Sequence, residues 1–162
     1  MTTNKPQLII DRLQLTDLEE CYQLDQICFR EAEAYDRATI SYILSNPRSI
    51  CYKIVSQQQD QTRMLGFILA MIEEDLTGHI VALGVLPEAR RQGYARLLME
   101  LVESALLYRK INLVHLEVRI SNKPAQRLYT RLGYIIVKRL ENYYTNGEDA
   151  YLMVKSLTEG ED

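Results

Sequence analysis

Residues 81–118 place the tightest constraint on what this chain can fold into. Two apolar runs, one ending in Leu83-Gly84-Val85-Leu86 and one centred on Val114, Leu116 and Val118, flank a single amphipathic segment. There Leu97, Leu98, Leu101, Val102 and Ala105 recur at helical spacing, while Arg96, Glu100, Glu103 and Ser104 fall elsewhere. A strand, a helix and a second strand joined this closely predict two parallel strands with a right-handed crossover. Ligands in such sheets collect near the carboxyl ends of the parallel strands, where neighbouring strands can part. The turn from Pro87 through Arg90, Arg91, Gln92 and Gly93 to Tyr94, Ala95 and Arg96 lies at that end. It offers free backbone N–H groups, the positive end of a helix dipole, and a glycine that lets a ligand approach the backbone closely. Together these make a seat for a pyrophosphate.

Around this unit the pattern predicts a mixed sheet with helices on both faces. Strands are expected at residues 8–13, 49–55, 64–74, 79–86, 112–120, 134–140 and 150–155, with a polar loop over 57–62 between the second and third. A helix carrying Leu18, Cys21, Leu24 and Ile27 follows a cap at Thr16 or Asp17, and a shorter one runs from Asp36 to Leu44. Between them, residues 29–35 carry more charge than a plain turn needs. Along 112–120, Val114, Leu116, Val118 and Ile120 alternate with His115, Glu117 and Arg119. Ser121-Asn122-Lys123-Pro124 caps a fourth helix that ends at Gly133.

At 162 residues the chain suits a single domain with its own core, fraying only in the acidic tail from about residue 158. A net charge of −3 argues against general nucleic-acid binding by phosphate neutralisation, so any basic site must be local. Cys21, Cys28 and Cys51 are odd in number and show no Cys-x-x-Cys spacing. With only two histidines, neither a disulfide framework nor a resident metal is expected, and a reducing compartment, the cytoplasm, fits. Nothing reads as a membrane span or a leader segment.

Read as Arg90-x-x-Gly93-x-Ala95, the turn resembles the coenzyme A signature of the GCN5-related N-acetyltransferases. The resemblance extends from about Cys28 to Leu157. Its most specific part runs from Leu116 to Tyr134, followed by Asn142-Tyr143-Tyr144 and Gly147 to Met153, which looks like the C-terminal half of protein N-terminal acetyltransferases. The ribosomal-protein alanine type and its archaeal relatives are the nearest match. The resemblance implies one mostly antiparallel sheet of about seven strands and four helices, with splayed parallel strands holding acetyl-coenzyme A.

It further implies that Leu83, Gly84 and Val85 face the pantetheine arm, that Arg90, Arg91, Gln92, Gly93, Tyr94, Ala95 and Arg96 wrap the pyrophosphate, and that Asn122 touches the coenzyme. Glu117 would be the general base and Tyr129 the acid toward the departing thiolate. Tyr143 and Tyr144 match the family's peptide-groove tyrosines. Glu33, Tyr35 and His79 match substrate-loop and water-holding positions of archaeal relatives, where Asp36 replaces a usual proline. The implied partner is a protein or peptide N-terminus, a ribosomal protein among the candidates, with the enzyme a monomer or weak dimer.

The chemistry asks for this set. An amine attacks a thioester only when neutral, so a base must take its proton, and the leaving thiolate is helped by a donor. Near physiological pH roughly a quarter of α-amines (pKa ~7.8) but only about a thousandth of lysines (~10.4) are neutral, which favours a chain terminus as nucleophile. Two other readings compete: an acetyltransferase for a small-molecule amine or a lysine, and a silent coenzyme-binding module.

Overall fold

A computed structural model of the chain describes residues 5–158. Seven strands, β1 (Gln7–Arg12), β2 (Ser49–Gln58), β3 (Gln61–Ile72), β4 (Gly78–Val85), β5 (Leu113–Arg119), β6 (Ile135–Leu140) and β7 (Ala150–Ser156), form one sheet in the order β1-β2-β3-β4-β5-β7-β6. Only the β4–β5 pair is parallel. The mixed, mostly antiparallel sheet expected from the sequence is therefore present. Residues 159–162, most of the expected acidic tail, lie outside the described residues.

Four helices cover the sheet: α1 (Leu18–Cys28), α2 (Arg37–Ser45), α3 (Tyr94–Tyr108) and α4 (Lys123–Arg131). On one face Cys21 and Leu24 of α1 and Ile40 and Ile43 of α2 pack on Cys51, Phe67 and Leu69. On the other, Leu98, Met99, Val102 and Leu106 of α3 pack on Ile54, Ile68, Ile80, Val114 and Leu116. Because both faces of β3 are covered, Phe67, Ile68, Leu69 and Ala70 form an unbroken buried run rather than an alternating one. Beneath α3, the buried Glu103 carboxylate accepts hydrogen bonds from the Tyr134 hydroxyl (3.1 Å) and the Lys155 ammonium (2.6 Å).

The local signals place most boundaries within a residue or two. Asp36 caps α2 by accepting from the Thr39 N–H (2.8 Å), Asn122 caps α4 by accepting from Ala125 N–H (3.2 Å), and Gly93 opens α3. Residues 57–62 differ from the expected loop. The β2–β3 ladder runs on to the pair Gln58↔Gln61, leaving a tight turn in which Gln59 takes a left-handed φ of 56°. Polar side chains there satisfy a solvent-facing hairpin as well as they would a loop, so polarity alone misplaces the strand ends.

Two features of β4 open the sheet. Its parallel pairing with β5 lasts only for Gly78↔Val114 and His79↔His115. Against β3, Leu69 pairs with Ala82 and Ala70 with Ile80, so Val81 is an extra residue, a bulge that bends the strand just where it leaves β5. On its core side β4 is fixed by Gly84, where a Cβ would sit 2.6 Å from Phe67 Cε1 and 3.2 Å from Cys28 Sγ. Gly84→Ala is therefore expected to destabilise the fold by about 2 kcal/mol through overpacking, read as a lowered midpoint in urea unfolding.

Candidate active site

The gap between β4 and β5 is lined on one side by backbone. Leu86 N–H donates to Leu65 O (2.8 Å) across to β3, and alternation along the strand turns the N–H groups of Val85 and Leu83 the other way, into the gap. Val85 O accepts from Arg90 Nε (3.1 Å) and from Cys28 Sγ (3.4 Å), which holds the end of β4 against α1 and the following turn. Arg90 thus braces the strand with the same side chain that the motif assigns to phosphate. After a 3-10 turn at Pro87–Ala89, Arg91 (φ 64°) and Gly93 (φ 81°) both lie in the left-handed region and lead into α3. Arg90, Arg91, Gln92 and Gly93 are exposed, and nothing stands within 4 Å of where a Gly93 Cβ would be. Tyr94 Oη donates to Gln92 Oε1 (3.0 Å), while Arg96 pairs with Glu100 one turn on (2.9 Å). Open amides at the N-terminus of a fifteen-residue helix, flanked by guanidinium groups, fit a diphosphate.

The other side of the gap is side chains. On β5, Val114, Leu116 and Val118 go to the core, so His115, Glu117 and Arg119 face the opposite way. A cavity of about 130 Å³ opens here, and Glu33, Tyr35, Leu83, Glu117, Asn122, Tyr129, Tyr143 and Tyr144, all singled out from the sequence, line it together with Phe29 and Arg119. Glu117 Oε2 lies 2.7 Å from His79 Nε2, and His79 Nδ1 lies 2.9 Å from Glu73 Oε1. The His79 ring stacks on His115, with centroids 4.6 Å apart. Burial pulls the His79 pKa down, but the hydrogen bonds and charges of Glu117 and Glu73 outweigh it and leave it raised. His115 is lowered, by burial first and the neighbouring His79 second.

Glu33 does not stand free in the substrate loop: it is ion-paired with Arg119, whose Nη1 also lies 3.7 Å from Glu148. Tyr35 is held at both ends. Its N–H donates to Asp25 Oδ2 (2.8 Å), and its hydroxyl lies 3.4 Å from the carbonyl of Val81, the bulge residue. Tyr143 and Tyr144 pack edge to face at 5.0 Å. The Tyr129 ring packs against Tyr134 (6.0 Å), and burial pushes its pKa up to about 12, so the phenol is protonated at neutral pH. Asn122 lines the cavity while capping α4, so the two roles coexist. Sequence reasoning missed Asp25, Glu73 and Arg119 as site residues. Asp25 sits within α1, Glu73 follows the end of β3, and nothing local marks either as paired; Arg119 was legible only as a member of the β5 face.

The family model for the acetyltransferase (GNAT) family matches residues 16–134, most of the chain. This chain belongs to the GNAT acetyltransferase family. Among curated GNAT relatives, the N-terminal acetyltransferase B complex catalytic subunit NAA20 of Arabidopsis thaliana is 42% identical over 59% of this chain and 58% of its own length. An N-alpha-acetyltransferase of Saccharolobus solfataricus is 46% identical over 49% of this chain and 48% of its own. The chain thus spans about half the length of the curated relatives it matches. The crystal structure of the ribosomal-protein-S18-alanine N-acetyltransferase from Escherichia coli superposes with a TM-score of 0.80 at 28% identity, covering 96% of this chain and 97% of that one.

Asp25 links this site to stability. It is fully buried, its Oδ1 has no hydrogen-bond partner among the described residues, and burial raises its pKa from 3.8 to about 6 despite the Tyr35 N–H. Because the folded-state value is the higher one, ionisation opposes folding. There is no penalty below about pH 4, where both states are protonated; it grows between pH 4 and 6 and is complete above, reaching at most about 3 kcal/mol. Asp25→Asn is expected to match the parent near pH 4 and to exceed its stability at pH 7.5 by up to that amount, in urea titrations at the two pH values.

Proposed function

We propose that this chain transfers the acetyl group of acetyl-coenzyme A directly to the N-terminal α-amine of a protein, without an acyl-enzyme. The observation that carries the reading is the position of Glu117. Its carboxylate sits in a cavity walled by inward-pointing N–H groups of β4 on one side and Tyr35, Tyr143 and Tyr144 on another, with His79 at 2.7 Å holding its rotamer. The named activities of the curated relatives and of the S18-alanine enzyme support the same assignment.

When bound, the coenzyme supplies an activated acetyl group on a thiol that leaves readily. The amides and side chains of Arg91, Gln92, Gly93, Tyr94, Ala95 and Arg96 would hold its pyrophosphate, and Leu83 and Val85 would offer their N–H groups to the pantetheine arm. Glu117 accepts the proton of the attacking amine. Tyr129 donates a hydrogen bond to the leaving sulfur. With its pKa near 12 against about 8.5 for an ordinary thiol, it steadies a thiolate rather than surrendering its own proton outright. A backbone N–H of β4 would receive the carbonyl oxygen as charge builds on it.

A small dicationic amine would want an acidic, closed pocket. Arg119 pairs with Glu33 at the cavity wall, and the tyrosines form a groove, which favours a peptide. The S18-alanine neighbour supports a ribosomal protein among the targets. Three free thiols, Cys21, Cys28 and Cys51, support assignment to a reducing compartment such as the cytoplasm.

Thiol release from acetyl-coenzyme A against peptides differing at their first two residues is expected to show turnover. Lysine-bearing blocked peptides and polyamines are expected to show little; turnover with these alone would overturn the reading. Glu117→Gln is expected to lower kcat by about a hundredfold or more and Tyr129→Phe by about tenfold. Coenzyme affinity, followed by calorimetry, should stay within about twofold in both.

A further inference from the structure

We infer that Glu73, His79 and His115 form a binding site for a divalent transition-metal ion of the Zn2+ class, and that an ion held there arrests acetyl transfer through Glu117. The inhibition half of this inference rests on the function proposed above; the binding half does not.

The site is built by the short parallel pairing. His79 and His115 are register partners on β4 and β5, so their rings leave the sheet on the same side and stack at 4.6 Å with 14° between planes. Glu73 follows directly on β3, where its N–H donates to Thr77 O (2.8 Å) and fixes the turn into β4. One ligand atom from each of the three residues lies within 4.8 Å of the others. Two imidazoles and one carboxylate make up a ligand set that zinc takes in open sites, with a fourth position left to water. Metal–ligand bonds of about 2.0–2.1 Å require ligand atoms about 3.3 Å apart, so the widest separation must close by up to about 1.5 Å and the His115 ring must tilt out of the stack to aim a nitrogen at the ion, both by side-chain rotation. His115 and Glu73 also line an open cleft of about 740 Å³ with Tyr42, Asn46, Arg48 and Asp75, which gives a hydrated ion an entry path from the side away from the coenzyme seat.

Coupling to the reaction follows from the two nitrogens of His79. Nδ1 faces Glu73 and would become the metal ligand; Nε2 faces Glu117 Oε2 at 2.7 Å. A metal-bound histidine commonly donates its other N–H to a carboxylate, and Glu117 is already in that position. A metal-free His79 can carry its hydrogen on Nδ1, toward Glu73, and accept a hydrogen bond on Nε2 from Glu117 once that carboxylate has taken the amine's proton. Coordination at Nδ1 fixes the hydrogen on Nε2, so the protonated form of Glu117 loses its acceptor and the nearby dication makes the carboxylate a weaker base. No covalent bond is made or broken; the ion acts as a removable lock.

The test uses the intact chain and chloride salts of Co2+ and Zn2+. Co2+ is expected to give the visible absorption of a four-coordinate site saturating at one equivalent, and Zn2+ to displace it. Zn2+ should lower thiol release at least tenfold, with full recovery on adding a chelator. His115→Asn should abolish the cobalt spectrum and shift the Zn2+ inhibition midpoint at least tenfold, while metal-free turnover stays within about twofold. Glu73→Gln, on the exposed side of the cluster, is expected to weaken the cobalt spectrum and raise the Zn2+ inhibition midpoint in the same direction while leaving both rings in place. A missing cobalt spectrum, one unchanged in both variants, or a sulfur charge-transfer band placing the ion on a cysteine would overturn the site. Zn2+ bound without loss of turnover would overturn the coupling. Should no amine be acetylated at all, the cobalt spectrum still decides the site and only the proposed function fails.

Discussion

The shortness of one strand pairing governs this molecule. β4 and β5 share two residue pairs and then part, because the extra residue at Val81 bends β4 away. Past that point the inward N–H groups of β4 have no strand to bond to. A buried amide without a partner is costly, so a gap of this kind persists only where solvent or a ligand supplies the missing acceptors. Everything else at the site is arranged along its edges: the glycine turn at one end, the β5 carboxylate along one side, and the tyrosines over the top.

The same bulge ties the acceptor side to the donor side. Val81 O meets the Tyr35 hydroxyl, Tyr35 N–H meets the buried Asp25, and Glu33 from the same loop reaches Arg119 on β5. The loop is therefore fastened to both strands that border the gap and to α1 behind it. Of its charges, Glu33 is paired internally, while Arg30 and Glu31 are exposed. Asp36 ends the loop by capping α2, so a side-chain hydrogen bond fixes where the helix begins.

What could be read from the sequence was whatever is set by spacing along a single element. The alternation on β5 fixed which side Glu117 faces, and the leucine pattern of α3 together with Gly93 located the turn. Caps at Asp36 and Asn122 located two helix starts. Pairings between elements were not legible. Glu73 reaches His79 across a hairpin, Asp25 reaches Tyr35 around a loop, and Glu33 reaches Arg119 over a separation that only the folded sheet closes. Neither the bulge nor the continued hairpin at Gln58–Gln61 carries a residue signature that distinguishes it from an ordinary strand or loop.

Backbone supplies one wall of the gap and side chains the other, and this division has an evolutionary reading. Main-chain amides survive almost any substitution, so the half of the site built from backbone is insulated from drift. Phe29, Tyr143 and Tyr144, by contrast, line the cavity with side chains alone, so the shape of that wall changes with each substitution. The side-chain wall of such a gap can be rebuilt residue by residue while the backbone wall keeps its shape.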